Sequence, residues 1–180
     1  MKKLFYTLLT VCIMAGFASC SKEEPGGTAV QNMSGEWRVF VDGIDTEGNI
    51  VEEDFWELGL YDLLTYNTNA NLSNEMYLDD FGALWGVKIK VDVDCDTRTF
   101  WVNDGIMYYA YDDDTEEYYP VHVTVTNGEI IENGGVSPGG YTVDTISYYV
   151  QFENDPYLGV YYDYLWVHGY RKTGLVGGYD

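Results

Sequence analysis

Apolar and polar residues alternate along most of the chain from Ser34 onward. In residues 85–94 every odd position is Trp, Val or Ile, and most even positions are Lys or Asp. Alternation with this period is typical of a β-strand with one face in a core and the other in water. The same alternation recurs at residues 37–41, 121–125, 146–152 and 158–170. The pattern therefore predicts a chain built from β-strands.

Short turn sequences divide these runs. They lie at Asp42-Gly43, Glu47-Gly48-Asn49, Asn103-Asp104-Gly105, Asn127-Gly128 and Asn133-Gly134-Gly135. Gly preceded by Asn or Asp favours a tight hairpin turn. No segment carries the periodicity of an amphipathic helix. The sequence therefore predicts an all-β fold of about eight to ten antiparallel strands, arranged as a sandwich or a barrel.

The first 24 residues follow a different pattern. Lys2 and Lys3 precede an apolar run over residues 4–18, and the small residues Ala18 and Ser19 lead to Cys20. This order predicts a secretory signal peptide. The apolar run is shorter than the roughly 20 residues that a membrane-spanning helix needs, so we interpret it as a leader that is removed.

The end of this leader, Phe17-Ala18-Ser19-Cys20, resembles a bacterial lipobox. The resemblance implies cleavage before Cys20 and a lipid on that cysteine; an unmodified secreted protein is the alternative. Ser21 and the cluster at residues 21–24 resemble signals for sorting to the outer membrane and the cell surface. We therefore expect a signal peptide at 1–19, a lipidated N-terminus and flexible tether at 20–33, and one domain at 34–180. The protein would be anchored in a Gram-negative outer membrane, at the cell surface or the periplasmic face.

Charge and cysteine content narrow the possible partners. The chain has 30 Asp and Glu against 9 Lys and Arg, a net charge of −21 at pH 7. Phosphate backbones and anionic headgroups repel such a chain, so we expect no nucleic-acid partner. The charge also favours a soluble monomer. Because Cys12 would leave with the leader and Cys20 would carry lipid, Cys95 has no partner for an intramolecular disulfide.

Two features favour a closed barrel over a sandwich. Closure removes sheet edges that a Tyr- and Val-rich chain would otherwise expose. In addition, Gly35-Glu36-Trp37 is similar to the Gly-x-Trp motif on the first strand of lipocalin-type barrels. In that family an Arg near the last strand packs across the Trp ring and closes one barrel end, which the resemblance assigns here to Arg171. The alternative is that Trp37 is an ordinary core residue and Arg171 a solvated charge.

The whole chain resembles the lipid-binding putative hydrolases, a family of small bacterial lipoproteins. The resemblance is carried by residues 34–39, 66–71, 76–80 and 169–174. It implies a single antiparallel, lipocalin-like (calycin-like) β-barrel and a lipid-like ligand.

Catalytic motifs are absent from the sequence. A hydrolase needs a nucleophile with a base or a metal-bound water, and neither Gly-x-Ser-x-Gly nor His-Glu-x-x-His occurs. The two histidines, His122 and His168, are far apart in sequence. The acidic run at 92–96 lacks the Gly and Glu of a calcium loop, and it is interpreted as a solvated strand end. The run at 112–117 is interpreted as a solvated hairpin loop, and calcium binding is the alternative for both runs. We assign no catalytic residue, metal ligand or cofactor; whether the protein is an enzyme stays open, with a binding protein favoured.

Two binding hypotheses remain. In the first, the barrel takes a small apolar or amphipathic ligand in a cavity lined by Trp85, Val87, Ile89, Tyr162, Tyr164 and Trp166. In the second, a non-enzymatic surface module binds a glycan or a protein on a tyrosine-rich rim formed by Tyr108, Tyr109, Tyr111, Tyr118 and Tyr119. Those tyrosines flank the acidic run at 112–117, where cross-strand pairing within a hairpin is the simpler role.

Overall fold

The computed structural model describes residues 27–112, 115, 117–153 and 155–174, without the side chains of residues 108–112 and 118. Its strands are β1 (Gly35–Ile44), β2 (Ile50–Glu52), β3 (Tyr61–Asn67), β4 (Glu75–Asp79), β5 (Lys88–Asp94), β6 (Thr99–Asp112), β7 (Glu117–Val136), β8 (Thr142–Phe152) and β9 (Tyr164–Arg171). A single 3-10 turn, Phe55–Glu57, lies between β2 and β3. Within the described ranges, no helix is long and apolar enough to span a membrane.

The strands form one antiparallel sheet that closes on itself. Its order is β2-β1-β3-β4-β5-β6-β7-β8-β9, and β1 also pairs with β9. This seam between the first and last strands runs from the pair Trp37 and Arg171 to the pair Ile44 and Tyr164. Eight strands therefore form a barrel, and the short β2 is added beside the end of β1. The predicted antiparallel β-barrel is confirmed.

Side chains at alternate positions fill the barrel interior. The largest of them are at most about 1% exposed, namely Trp37, Leu63, Met76, Leu78, Phe100, Met107, Ile146 and Leu165. Interiors of eight-stranded barrels are just wide enough to be filled by side chains or to hold one small ligand. This one is packed around its middle, so space for a ligand is to be sought toward an end.

Four of the predicted turns are wrong. The segment 42–43 lies inside β1, where it pairs with β9, and the segments 103–105, 127–128 and 133–135 lie inside β6 and β7, where the pairing register shifts. Asn127 and Asn133 have φ values of 51° and 54°, the left-handed conformation that Asn tolerates better than most residues. Asn and Gly were therefore correctly read as marking unusual backbone, but that backbone forms bulges that bend the two longest strands.

One barrel end is closed by the segment before β1. Val30 and Met33 are fully buried in the core. Thr65 Oγ1 donates a hydrogen bond to the Met33 carbonyl (2.6 Å) and accepts one from Trp37 Nε1 (2.9 Å). The predicted flexible tether at 20–33 is therefore wrong in its last residues, because Val30 and Met33 belong to the folded core. Residues 20–26 lie outside the described residues.

Arg171 lies at this same end. Its guanidinium carbon is 4.4 Å from the centre of the Trp37 ring, within the range of a cation–π contact. Arg171 Nη1 donates to the Ser34 carbonyl (2.7 Å), and Nε donates to Asp144 Oδ2 (3.0 Å). The side chain thus ties the last strand to the start of the first strand and to β8. Together with Val30 and Met33, it makes this the closed end of the barrel.

Candidate functional site

Three loops, together with the β6–β7 hairpin, surround the opposite end of the barrel, here called the mouth, and only these three loops are described nearly in full. They are residues 45–60, which include β2 and the 3-10 turn, residues 80–87 between β4 and β5, and residues 153–163 between β8 and β9. Loops of this kind are carried on a rigid sheet, where functional residues of barrel proteins commonly lie. The mouth is therefore the first place to look for a ligand site.

Aromatic rings from all three loops and from the end of β8 pack against one another over the mouth. We call this set the aromatic lid; it consists of Phe55, Trp56, Trp85, Phe152, Tyr157 and Tyr162. Trp56 is at its centre, with ring centres 4.6 Å from Phe55, 5.1 Å from Trp85 and 6.1 Å from Tyr157. Offset and edge-on contacts at these separations contribute about 0.5–1.5 kcal/mol each beyond area burial. The lid is thus a connected cluster built from sequence-distant segments.

The lid backbone adopts unusual conformations. Asp54, Trp56, Glu57, Phe81 and Trp85 all have φ between 48° and 58°. The left-handed region costs roughly 1–2 kcal/mol for a residue other than Gly. Such strain concentrates at ligand clamps and switch regions, where the surrounding contacts hold it in place. The ring contacts therefore hold the loops at 45–60 and 80–87 in conformations that their residues would not prefer on their own.

A cleft opens within the lid. It has a volume of about 210 Å³ and is lined by Glu52, Phe55, Trp56, Tyr157, Tyr161 and Tyr162. Sites for drug-sized ligands usually measure about 300–1,000 Å³. As it stands, the cleft therefore takes a small group or the end of a chain, and a larger ligand requires the lid rings to move apart. Trp56 is half exposed, so its ring is free on one side.

Beneath the lid, the barrel contains a small group of polar side chains. Asp80 is 2% exposed and follows Met76 and Leu78 on the inward face of β4. Burial raises the pKa of Asp80 to about 6, although its carboxylate accepts hydrogen bonds from the Gly82 and Leu84 N–H groups. The carboxylate therefore fixes the 80–87 loop that carries Trp85.

Two tyrosines share this interior region with Asp80. Burial, with the charge on Asp80, raises the pKa of both Tyr61 and Tyr148. The Tyr61 hydroxyl is buried and finds no hydrogen-bond partner among the described residues. An unpaired buried hydroxyl costs about 1–3 kcal/mol. A polar atom placed beside this hydroxyl would satisfy it.

The mouth carries negative charge and no compensating positive charge. Ten Asp and Glu and no Lys or Arg occur in the three loops: Asp45, Glu47, Glu52, Glu53, Asp54, Glu57, Asp80, Glu153, Asp155 and Asp163. Elsewhere in the described residues, each Lys and Arg already has an acidic partner within 4 Å. Carboxylates at one barrel end, with no cation among them, give that end a negative potential. The mouth therefore repels anions.

The structure divides the predicted cavity residues into two groups. Ile89 and Val87 are buried in the barrel, and the lid contains both Tyr162, which is 3% exposed, and Trp85, which is half-buried. Tyr164 and Trp166 lie instead on the outer face of β9, so their assignment to a cavity is wrong. Strand β9 begins at Tyr164, after a turn with Gly159 at φ 73°, and its inward residues are Leu165 and Val167. The alternating pattern over 158–170 continues through that turn. The inward positions of β9 are therefore the odd-numbered ones, whereas the pattern had indicated the even-numbered ones.

The predicted tyrosine rim lies at the β6–β7 hairpin. Pairing joins Tyr111 to Tyr118 and Ala110 to Tyr119, and Tyr119 is 47% exposed. The side chains of Tyr108, Tyr109, Tyr111 and Tyr118 lie outside the described residues, as does Cys20 in full. The rim therefore stays a prediction.

The two histidines each pair with a carboxylate on the outer surface. His122 Nδ1 bonds Asp104, which raises the pKa of His122. His168 Nε2 lies 2.9 Å from Asp42 Oδ2. Neither pair has a serine, threonine or cysteine among its hydrogen-bond partners in the described part of the chain, and no three metal-binding side chains are grouped there. These contacts orient the two rings on the sheet surface.

Sequence reasoning missed most of the lid. Phe55, Trp56 and Tyr157 lie in loops, where no periodicity marks them. For Asp80 the only signal in the sequence was its position two residues after Leu78, which predicts a side chain that faces inward. The available signal was the presence of large aromatic residues within acidic, glycine-containing loops at one barrel end.

Comparison with known proteins agrees with the architecture. The sequence model of the family described as lipid-binding putative hydrolase matches residues 22–176 of this chain. No curated protein matches the chain. Because the match covers nearly all of the chain, the protein belongs to the lipid-binding putative hydrolase family.

Proposed function

We propose that this protein binds a single-chain, neutral amphipathic lipid at the barrel mouth. The observation that carries the proposal is the aromatic lid, a cluster of rings on strained loops in which Trp56 and Tyr157 are about half exposed. Membership in a lipid-binding family and the β-barrel fit this function. In this account the apolar chain enters between Trp56 and Tyr157, and the lid loops move apart to admit it.

The chemistry of the lid suits an aliphatic chain. Indole and phenol rings supply large apolar surfaces with few polar atoms, and each ring buries about 150–250 Å² when covered. Below the lid the core is filled by large side chains such as Phe100 and Leu165, so the chain contacts the upper part of the barrel. Tyr61 does not line the cleft, so its unpaired hydroxyl meets a polar atom of the ligand only after the lid rings have moved apart.

The charge of the mouth selects the headgroup. A fatty carboxylate or a phosphate would approach ten acidic residues with no cation among them. Like charges at this density repel over about one Debye length, roughly 10 Å at 0.1 M salt. We therefore infer an uncharged headgroup, such as an alcohol or a glycerol ester, in place of a fatty acid.

Titration with matched probes tests both parts of the proposal. A pyrene-labelled long-chain alcohol is expected to bind the purified protein at pH 8 at least about tenfold more tightly than the corresponding carboxylic acid, a difference of about 1.4 kcal/mol. The difference should shrink as salt is added, because salt screens the mouth carboxylates. Failure of both probes to bind would contradict lipid binding, whereas equal binding would contradict only the headgroup argument.

We also propose that the chain is exported and held on the outer membrane by lipid on Cys20. The order of Lys2, Lys3, the apolar run and Cys20 supports this. The acidic domain would then stand away from an anionic membrane surface.

Cys20→Ser is expected to move the protein from the membrane fraction to the soluble fraction of the cells that express it. The reason is that one thiol would carry all of the anchoring lipid. Cys95→Ser is the matched control, since Cys95 lies between β5 and β6 in the folded domain, and this variant should stay in the membrane fraction. Retention of Cys20→Ser in the membrane fraction would contradict the anchor.

A further inference from the structure

A second cleft lies on the outside of the barrel, far from the mouth loops in sequence. This outer groove crosses β6, β7, β8 and β9, has a volume of about 750 Å³, and is lined chiefly by Trp101, Asn103, Thr126, Glu129, Tyr149 and Trp166. It contains Trp166, which the sequence alone placed inside the barrel. Half-exposed aromatic residues on a sheet exterior, next to polar ones, indicate a surface with a use beyond packing.

A bulge forms the floor of the outer groove. The register of β7 against β8 shifts between Thr126 and Glu129, and Asn127 takes a φ of 51°. Gly128 faces Phe100 so closely that an added Cβ would lie 2.4 Å from the Phe100 carbonyl oxygen. Gly128 therefore lets β7 pass close to β6 at the position of the bulge. Bulges of this kind re-aim neighbouring side chains and occur next to binding sites.

Aromatic rings stand in a row across the strands. Trp166 on β9 pairs with Tyr149 on β8, and Tyr149 pairs with Thr126 on β7. Trp101 on β6 completes the row and is 40% exposed. With neighbouring strands about 4.8 Å apart, the row from Trp166 to Trp101 spans roughly 14 Å. A ligand that reaches from Trp166 to Trp101 must therefore be an elongated molecule of several linked units, not a single small ring.

The Trp166 ring is held in a fixed orientation. It stacks on His168 with ring centres 4.0 Å apart, and His168 Nε2 lies 2.9 Å from Asp42 Oδ2. Asp42 is itself covered, being 8% exposed, and it accepts a hydrogen bond from the Asp54 N–H. A binding platform held by packing and by a second layer of hydrogen bonds loses little entropy when a ligand is bound.

Polar side chains stand beside these rings. Asn103, Thr126 and Glu129 provide both donors and acceptors, and Ser147 Oγ lies 3.4 Å from Glu129 Oε1. The groove therefore offers apolar ring faces together with amide, hydroxyl and carboxylate groups. A molecule that matches this mixture has apolar C–H faces and hydroxyl groups at its edges.

We propose that the outer groove binds a short neutral oligosaccharide. Sugar rings stack on Trp101 and Trp166, and their hydroxyl groups bond to Asn103 and Glu129. A neutral saccharide chain is not repelled by the net charge of −21, whereas a second copy of this chain or an anionic surface would be repelled. The groove is also open along its length, which suits a hydroxylated ligand that stays partly in water better than an aliphatic chain that must be buried.

The experiment presents the purified full chain to an array of neutral tri- to hexasaccharides, with trigalacturonic acid as the acidic probe. At least one neutral oligosaccharide is expected to bind, and the acidic probe to bind at least tenfold more weakly. Trp101→Ala should weaken binding of the retained neutral sugar at least tenfold. Asn103→Ala is the second variant, since its exposed side chain can be removed without touching the core, and it should weaken binding severalfold. Tyr141→Ala removes a similarly exposed ring outside the groove and should leave binding unchanged.

Three results would overturn the proposal. One is that no neutral sugar binds. Another is binding that survives both Trp101→Ala and Asn103→Ala. The third is sedimentation of the wild-type chain as a dimer that Trp101→Ala dissociates, which would assign the groove to self-association.

Discussion

Replacing Gly169 with alanine is expected to open the barrel at the seam between β1 and β9. Gly169 pairs with Val39 across this seam, and an added Cβ would lie 2.0 Å from the Arg38 carbonyl oxygen and 2.7 Å from the Val39 Cα. Both are backbone atoms, so the clash is relieved only if the two strands part. We expect the free energy of unfolding to fall by more than about 3 kcal/mol, a large share of the stability of an ordinary domain. Urea unfolding followed by tryptophan fluorescence measures the loss.

Gly135→Ala is the matched control for this substitution. Its added Cβ would lie 2.7 Å from Thr145 Cγ2, a side-chain atom that can rotate away. We expect this variant to lose about 1 kcal/mol or less. If Gly169→Ala were as stable as Gly135→Ala, the first and last strands would not be joined as described.

Replacing Trp56 with alanine is expected to remove most of the affinity for the long-chain alcohol probe. Trp56 is the ring that touches three other lid rings, and it lines the mouth cleft. If about half of the indole surface contacts the lipid chain, its loss amounts to roughly 2 kcal/mol, or about 30-fold in Kd. Fluorescence titration of the pyrene-labelled alcohol measures the change.

This variant also loses three ring contacts of about 0.5–1.5 kcal/mol each, so its free energy of unfolding is measured as well, and the titration is done where the variant is folded. Trp101→Ala is the control of the same residue type, since Trp101 is 40% exposed on the outer face of β6 and away from the mouth. It should bind the alcohol as the wild-type protein does. Equal loss of lipid affinity in both variants, or in neither, would contradict a site at the lid.

Alternation of side chains predicted the strands well, because each strand faces a dry interior on one side and water on the other. The prediction was less secure where both faces carry apolar residues. In β9 the aromatic residues Tyr164 and Trp166 looked like the buried set, yet the smaller Leu165 and Val167 occupy the packed interior. Tyrosine and tryptophan keep a polar atom in water, so they are stable half-buried on the outer face.

Loops and bulges could not be derived from local pattern. Gly128 marks a bulge rather than a turn because it passes close to Phe100, a contact set by the pairing of β6 with β7 and not by the residues next to Gly128. The aromatic lid likewise depends on barrel closure, which brings residues 55–57 beside Trp85 and Tyr157. By contrast, the contact of Arg171 with Trp37 was foreseeable, since a short motif on the first strand pointed to it.

The location of bound lipid tests the central claim most directly. A long-chain alcohol with a photoreactive diazirine would be bound to the purified protein, irradiated, and its attachment sites mapped by peptide mass spectrometry. We predict that the modified residues lie within 52–57, 81–87 and 155–162, the segments that form the mouth. Attachment confined to the outer faces of β6 to β9, or none above the level of a non-binding control protein, would contradict a lipid site at the barrel mouth.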